Sequence, residues 1–178
     1  VLSSGTDADG IVVNGMSNYA RNSRWSNSAL VVTVKNNFSA HQVLNGLDYQ
    51  RKIEKEAFNI STKLASGKEV PAQTIEQFMT GKKANVRGVK HSCPSGIFDF
   101  ELNKILPQEV SSQLKKALEV FNREIQGFSE VGGLLMAPET RTSAPVTISR
   151  DKETRMSTSH RGLFPCGEGA GYAGGITS

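Results

Sequence analysis

The chain has 178 residues, with 21 Lys or Arg and 17 Asp or Glu, so its formal net charge at pH 7 is +4. This size and charge are typical of one globular domain, and a content of 37% hydrophobic residues excludes global disorder. No apolar run approaches the roughly 20 residues needed to cross a bilayer. We therefore expect neither a transmembrane protein nor a membrane partner.

The cysteine content and the first residue bear on the origin of the chain. Two cysteines, Cys93 and Cys166, are too few for a disulfide framework and predict a reducing, cytoplasmic location. The first residue is Val1 rather than Met, from which we expect a processed chain or a piece of a longer polypeptide.

The first third of the chain is predicted to hold two strands and a helix. Residues 10–15 form a β-branched run that ends in Asn-Gly, a dipeptide that favours a tight turn. Residues 29–34 are again β-branched and predict a buried strand. From Leu47 to Leu64 apolar residues recur at helical spacing, with Gly67 as a stop, which predicts an amphipathic helix.

Two more helices and three short strands complete the prediction. The first helix has Pro71 in its first turn and Gly81 at its end. The second begins near Pro107 and ends before Gly127. Short extended candidates then follow at 134–137, 146–149 and 163–166. Strands that flank a helical middle predict an α+β fold.

The glycine-rich segment 167–175 is the most unusual part of the sequence. It holds five of the 17 glycines, and Gly169, Gly171 and Gly174 match a Gly-x-Gly-x-x-Gly pattern. Because only four residues follow Gly174, we expect no complete Rossmann unit. We instead predict a strand at 163–166, then the first turn of a helix whose N–H groups favour phosphate. A flexible glycine-rich terminus is the alternative.

Three segments resemble one family. Residues 162–176 resemble the C-terminal flavin-contact motif of bacterial FAD-dependent dehydrogenases, often described as NAD(FAD)-utilising dehydrogenases. Residues 139–146, Glu-Thr-Arg-Thr-Ser-Ala-Pro-Val, look like a second signature of that family. A third likeness involves Asn14, Gly15, Met16, Ser17, Arg21, Ser23, Asn27 and Ser28.

The resemblance implies a C-terminal fragment of an FAD-dependent oxidoreductase that is inactive alone, because its partner, the N-terminal FAD-binding domain, is missing. Residues 1–160 would form an inserted, substrate-type domain, and residues 161–178 a returning strand and helix start that contact FAD. Glu168 would lie near the flavin ribityl or pyrophosphate. Close backbone approach to the cofactor would come from Gly167, Gly169, Ala170, Gly171, Gly174 and Gly175.

The resemblance also implies a small-molecule substrate and leaves NAD(P)H open as electron donor. Arg141 is the best candidate for a substrate or anion contact, because a guanidinium can hold a carboxylate in a bidentate pair. A structural ion pair is an equally good interpretation. Arg21 is a second candidate, for which plain surface exposure is the favoured interpretation. No general base can be named, so the catalytic residues are unknown.

Other functions find less support in the sequence. The basic stretch 82–90 lacks interleaved aromatic residues, so we expect no nucleic-acid partner. The three histidines lack metal-ligand spacing, and no metal site is predicted. The competing hypothesis is a non-catalytic module that binds phosphate or another ligand, or a partner, through the glycine-rich segment or the basic stretch.

Overall fold

The chain divides into two compact units in a computed structural model that describes residues 2–3, 7–35, 43–129 and 132–172. The first unit comprises Val1–Val34 and Arg51–Thr140, and the second comprises Lys35–Gln50 and Arg141–Ser178. Among the described residues, no helix has both the length and the apolar character needed to cross a membrane.

The regular elements of the described residues are three α-helices, five short strands and two 3₁₀ turns. The helices are α1 (Asn45–Leu64), α2 (Ile75–Thr80) and α3 (Gln108–Glu124). The strands are β1 (Leu2–Ser3), β2 (Val13–Asn14), β3 (Val70–Thr74), β4 (Ile97–Asp99) and β5 (Leu134–Met136). The 3₁₀ turns are Leu102–Lys104 and Glu168–Ala170. This mixture confirms the predicted α+β fold.

The sheet of the first unit has the strand order β4-β3-β5. Strand β3 runs parallel to β4, with Val70 opposite Ile97, and antiparallel to β5, with Thr74 opposite Leu134. Strands β1 and β2 form a separate antiparallel pair. Just after β5, the Pro138 carbonyl accepts a bond from the Val13 amide at 2.9 Å.

The apolar faces of α2 and α3 build one hydrophobic cluster of the first unit. Each helix carries apolar residues at helical spacing, and these pack together with residues beside the sheet. The buried members of this cluster are Ile75, Phe78, Leu102, Leu118 and Ala137. The predicted helices at 47–64 and from near Pro107, and the predicted strand at 134–137, are confirmed as α1, α3 and β5, with small shifts of their ends.

The prediction that Pro71 begins a helix is wrong. Pro71 lies within β3, and the helix α2 begins after Thr74. A capping box fixes this start, since the Gln77 amide donates to Thr74 Oγ1 and the Thr74 amide donates to Gln77 Oε1, both at 3.2 Å. Gly81 ends the helix as predicted.

Three predicted strands are also wrong, because an extended segment forms a strand only when a second segment supplies a ladder. Residues 29–34, 146–149 and 163–166 contain no strand. The last two segments bond to loops instead, as when the Ser157 amide donates to the Leu163 carbonyl at 2.7 Å. In the run 10–14, only Val13–Asn14 pairs with another strand.

Candidate functional site

The glycine-rich turn, residues 167–172, is closed by two backbone hydrogen bonds. The Gly171 amide donates to the Glu168 carbonyl at 2.8 Å, and the Tyr172 amide donates to the Gly167 carbonyl at 3.1 Å. Gly167 and Gly171 have φ angles of 78° and 82°. Residues with a side chain rarely adopt such angles, so both ends of the turn favour glycine.

The predicted helix start is a single 3₁₀ turn, Glu168–Ala170, which ends at Gly171. A three-residue turn lacks the aligned peptide dipoles of a helix, so it does not form the phosphate site that a helix N-terminus would provide. Gly174 and Gly175 lie outside the described residues.

The turn packs against residues 146–150 of the second unit. The Ile148 amide donates to the Ala170 carbonyl at 3.1 Å. A Cβ atom added at Gly171 would lie 2.6 Å from Thr147 Oγ1 and 2.8 Å from the Val146 carbonyl oxygen. This packing is a second reason why position 171 requires glycine.

Arg150 and Tyr172 add side-chain contacts to this packing. The guanidinium carbon of Arg150 lies 3.8 Å from the centroid of the Tyr172 ring. Arg150 Nη1 donates to the Pro165 carbonyl, and the Tyr172 hydroxyl donates to the Ile148 carbonyl at 2.8 Å. Side chains therefore hold the last residue of the turn and the segment just before the turn, in addition to the backbone bonds of the turn itself.

Glu168 and Gly169 form an exposed face of the turn. A Cβ atom added at Gly169 meets no described atom within 4 Å, and the φ of Gly169 lies outside the left-handed region. Neither backbone conformation nor packing among the described residues thus requires glycine at 169. The space that a Cβ would fill there is open to a ligand, and the Glu168 carboxylate beside it can accept hydrogen bonds from sugar-like hydroxyls.

The predicted signature 139–146 is divided between the two units, because the chain passes from the first unit to the second after Thr140. In the first unit, the Thr140 hydroxyl donates to the carboxylate of Glu54, a residue only 2% exposed. Burial raises the pKa of the Glu139 carboxyl above its ordinary value. Arg141 is exposed and belongs to the second unit, and its contact with a substrate stays a prediction.

The buried Glu54 was missed by the sequence analysis, although the spacing along α1 holds a signal for it. Glu54 and Ser61 are seven residues apart, which places them on one helix face, and both are buried. The Glu54 backbone carbonyl also accepts the Ile11 amide at 3.1 Å. Next to Glu54 opens a cleft of about 350 Å³, lined by Asp7, Ala8, Asp9, Gly10, Arg51, Glu54 and Lys55.

The loop that follows β2 contains the third of the segments that resemble the family, and side chains of this segment contact its own backbone. Asn27 Nδ2 donates to the Met16 carbonyl at 2.9 Å, and a Cβ added at Gly15 would lie 2.2 Å from Asn27 Oδ1. Arg21 is exposed and has a φ of 50° in a turn in which its amide donates to the Asn18 carbonyl at 2.9 Å. A substrate contact of Arg21 stays a prediction.

The basic stretch 82–90 contacts two neighbouring acids, one through a lysine side chain and one through a backbone amide. Lys82 forms an ion pair of 2.8 Å with Glu76, and the Asp99 carboxylate accepts the Val86 amide. A cleft of about 400 Å³ adjoins the stretch, with Arg87 and His91 among its lining residues. Among the described residues, no group of three His, Cys, Asp or Glu side chains is arranged to hold a metal ion.

Comparison with known proteins identifies the family. The family model described as "FAD-dependent protein, C-terminal domain-like" matches residues 1–142. The chain belongs to this family. An uncharacterized protein of Clostridium beijerinckii is 38% identical over 181 residues, an alignment that covers 100% of this chain and 33% of that protein. The chain thus spans about a third of the length of this curated relative.

Membership of the FAD-dependent C-terminal domain family confirms the resemblance to a C-terminal segment of an FAD-dependent protein. The family match ends at residue 142, so the glycine-rich turn lies beyond it. Within the turn, Gly169 leaves an open position, and the adjacent residue Glu168 is exposed, so neither obstructs a ligand. Their contact with FAD stays a prediction.

Proposed function

We propose that this chain is the substrate-facing C-terminal part of an FAD-dependent oxidoreductase of the dehydrogenase type. In this proposal, residues 1–160 face the substrate, and residues 161–178 return to a flavin that is bound mainly by an N-terminal domain. The observation that carries the proposal is the family match over residues 1–142. Gly169, an exposed glycine that neither the local backbone nor the described packing requires, supports the assignment of the flavin contact to the glycine-rich turn.

Two residues of the glycine-rich turn would make the flavin contact. The Glu168 carboxylate would accept hydrogen bonds from the ribityl or ribose hydroxyls, since an ionised carboxylate is an acceptor only. The absence of a side chain at Gly169 would let the backbone of the turn approach the cofactor closely. FAD, when bound, supplies the redox chemistry, and the protein positions the substrate against it.

The substrate contact is proposed for Arg141, with Arg21 as the second candidate. Both guanidinium groups belong to exposed residues, and each can hold an anionic group of a small molecule through paired N–H donors. We therefore propose a small substrate that carries a carboxylate or a similar anion.

The isolated chain is proposed to be inactive. Most flavin contacts would come from the N-terminal domain, because glycine-rich loops of a dinucleotide fold supply the pyrophosphate site.

The electron donor is tested in the full-length protein. NADH and NADPH are added in separate experiments, and loss of the visible absorption of the bound flavin shows which of them reduces it.

The decisive experiment uses the polypeptide encoded by the complete gene and the visible absorption of bound flavin. We expect the wild-type protein to retain FAD, and Gly169→Ala to weaken FAD binding about tenfold or more, which corresponds to roughly 1.4 kcal/mol. Gly10→Ala is the matched control, because a Cβ at Gly10 meets its nearest neighbour at an ordinary 3.7 Å. A wild-type protein without affinity for FAD would contradict the proposal. If Gly169→Ala binds FAD as tightly as the wild type, the glycine-rich turn does not make the proposed flavin contact.

Removal of residues 167–178 separates this proposal from a phosphate-binding module based on the basic stretch 82–90. The deletion is expected to reduce FAD affinity in the full-length protein. In the isolated chain, pyrophosphate serves as the probe for the basic stretch. Strong pyrophosphate binding that survives the deletion, together with unchanged FAD affinity, would favour the module instead.

A further inference from the structure

Arg150 connects the last residue of the glycine-rich turn to the segment that precedes the turn. Its Nη1 atom donates to the carbonyl of Pro165, a buried residue that precedes the turn. Its guanidinium carbon lies 3.8 Å from the ring centroid of Tyr172, the last residue of the turn. One half-buried side chain thus contacts both the last residue of the turn and a residue two positions before its start.

Tyr172 is fixed from three sides. The guanidinium of Arg150 covers its ring, its hydroxyl donates to the Ile148 carbonyl at 2.8 Å, and its amide donates to the Gly167 carbonyl at 3.1 Å. The exposed residues Glu168 and Gly169 lie between the two anchored positions, Pro165 and Tyr172. Their position therefore depends on contacts that they do not make themselves.

The chemistry of this arrangement favours arginine over lysine. A planar guanidinium stacks on an aromatic ring and donates hydrogen bonds from its edge at the same time. A lysine ammonium is a compact point charge without such a plane and edge. The combination of a ring contact and a carbonyl contact at Arg150 uses both properties of the guanidinium.

We propose that Arg150 is a positioning residue that holds the glycine-rich turn in the conformation in which Glu168 and Gly169 contact the flavin. This inference rests on the proposed function. Arg150 acts through Tyr172 and the backbone of the turn, so its loss is expected to loosen the turn and, through it, the flavin contact. The core of the first unit, which contains none of these residues, is expected to remain intact.

The test combines hydrogen exchange with flavin binding in the full-length protein. In the variant Arg150→Ala, we expect faster amide exchange in residues 167–172, unchanged exchange in α3, and FAD affinity lowered about tenfold, the scale of a partly desolvated cation–π contact. Arg150→Lys tests the guanidinium without removing the charge and is expected to give a smaller effect of the same sign. Arg161→Ala, at an exposed arginine of the same unit, is the control and is expected to match the wild type.

The outcomes separate this inference from the proposed function. If the wild type binds FAD but Arg150→Ala binds it equally tightly, Arg150 does not position the contact and only this inference is overturned. If exchange in residues 167–172 does not change in either Arg150 variant, the side chain does not hold the turn, and the inference is again overturned. A wild-type protein without any flavin affinity removes the proposed function, and this inference with it.

Discussion

Gly167, Gly169 and Gly171 lie close together in one turn but meet different constraints. Gly167 and Gly171 have positive φ angles, and Gly171 also lies against Thr147. Gly169 meets neither constraint among the described residues. A count of glycines in the sequence treats the three alike, whereas their surroundings separate two that the described fold requires from one that it does not require.

At the residue scale, Glu69 gives a prediction for acid stability. Its Oε2 atom accepts the Ser66 amide at 2.9 Å and the Ser66 hydroxyl at 2.7 Å, and these bonds lower the pKa of Glu69 from 4.5 to about 2. Because the folded-state pKa is the lower one, the ionised carboxylate stabilises the fold above pH 4.5, and this contribution is lost as the pH falls towards 2. We expect Glu69→Gln to flatten the dependence of the unfolding free energy on pH in this window.

Urea unfolding along a pH series measures the effect of Glu69→Gln. The effect is expected to be small, because Glu69 lies near the surface and solvent screens its bonds. Glu119→Gln, at an exposed acid on α3, is the control and is expected to follow the wild type. Identical pH profiles for Glu69→Gln and the wild type would contradict the prediction.

At the scale of elements, helices were easier to predict than strands. The apolar spacing of α1 and α3 is a local signal that holds over 20 and 17 residues, so both helices follow from the sequence. The strands have two to five residues and depend on partners far along the chain, as β3 depends on β5. The β-branched run 29–34 has the composition of a strand but no ladder partner among the described residues.

The start of α2 was predicted at the wrong residue, because Pro71 was given more weight than the capping pair that follows it. Pro71 suggested a first helical turn, since proline is common there. It lies instead in the central strand of the sheet, where proline is rare because it cannot donate a ladder bond. The capping pair Thr74 and Gln77, spaced by three residues, marks the true start.

The cap of α2 provides a prediction at this scale. Thr74→Ala removes the side-chain oxygen that accepts the Gln77 amide, and we expect the free energy of unfolding to fall by about 1 kcal/mol. Thr80→Ala, at the other end of the same helix, is the matched control, since Thr80 Oγ1 donates to the Glu76 carbonyl and caps no amide. Chemical denaturation compares the variants, and equal losses for both would argue against a specific role of the cap.

The candidate site was predictable only in part. The composition of residues 167–171 drew attention to the turn, because clustered glycines and an acid are visible in the sequence. The role of Arg150 was not visible, since Arg150 and Tyr172 are 22 positions apart and a single arginine carries no local pattern. Side-chain contacts of this kind become known only when the path of the intervening loop is known.

At the scale of the whole molecule, large apolar side chains are exposed in the segments that resemble flavoprotein signatures. The loop after β2 exposes Met16, Tyr19 and Trp25, and the second unit exposes Leu163 and Phe164. Single exposed apolar residues are common, but groups of them are typical of surfaces that another part of a protein covers. In the proposed function, the N-terminal domain would cover these surfaces.

This proposal predicts that the isolated chain self-associates. We expect its apparent mass in light scattering to rise with concentration, because association removes the exposed apolar groups from water. The double variant Tyr19→Ser and Phe164→Ser is expected to reduce the rise, whereas Val120→Ser, at a partly exposed apolar residue on α3, is expected to leave it unchanged. A constant monomer mass for the wild type over the concentration series would contradict the prediction.

The interleaved arrangement of the two units has a consequence for the order of folding during synthesis. Every residue of the first unit precedes Arg141, whereas the second unit needs both Lys35–Gln50 and Arg141–Ser178. All three strands of the β4-β3-β5 sheet are therefore synthesised before the glycine-rich turn. Because domains commonly fold as units during synthesis, the first unit needs no residue of the turn to assemble, whereas the proposed flavin contact is completed only by the last part of the chain.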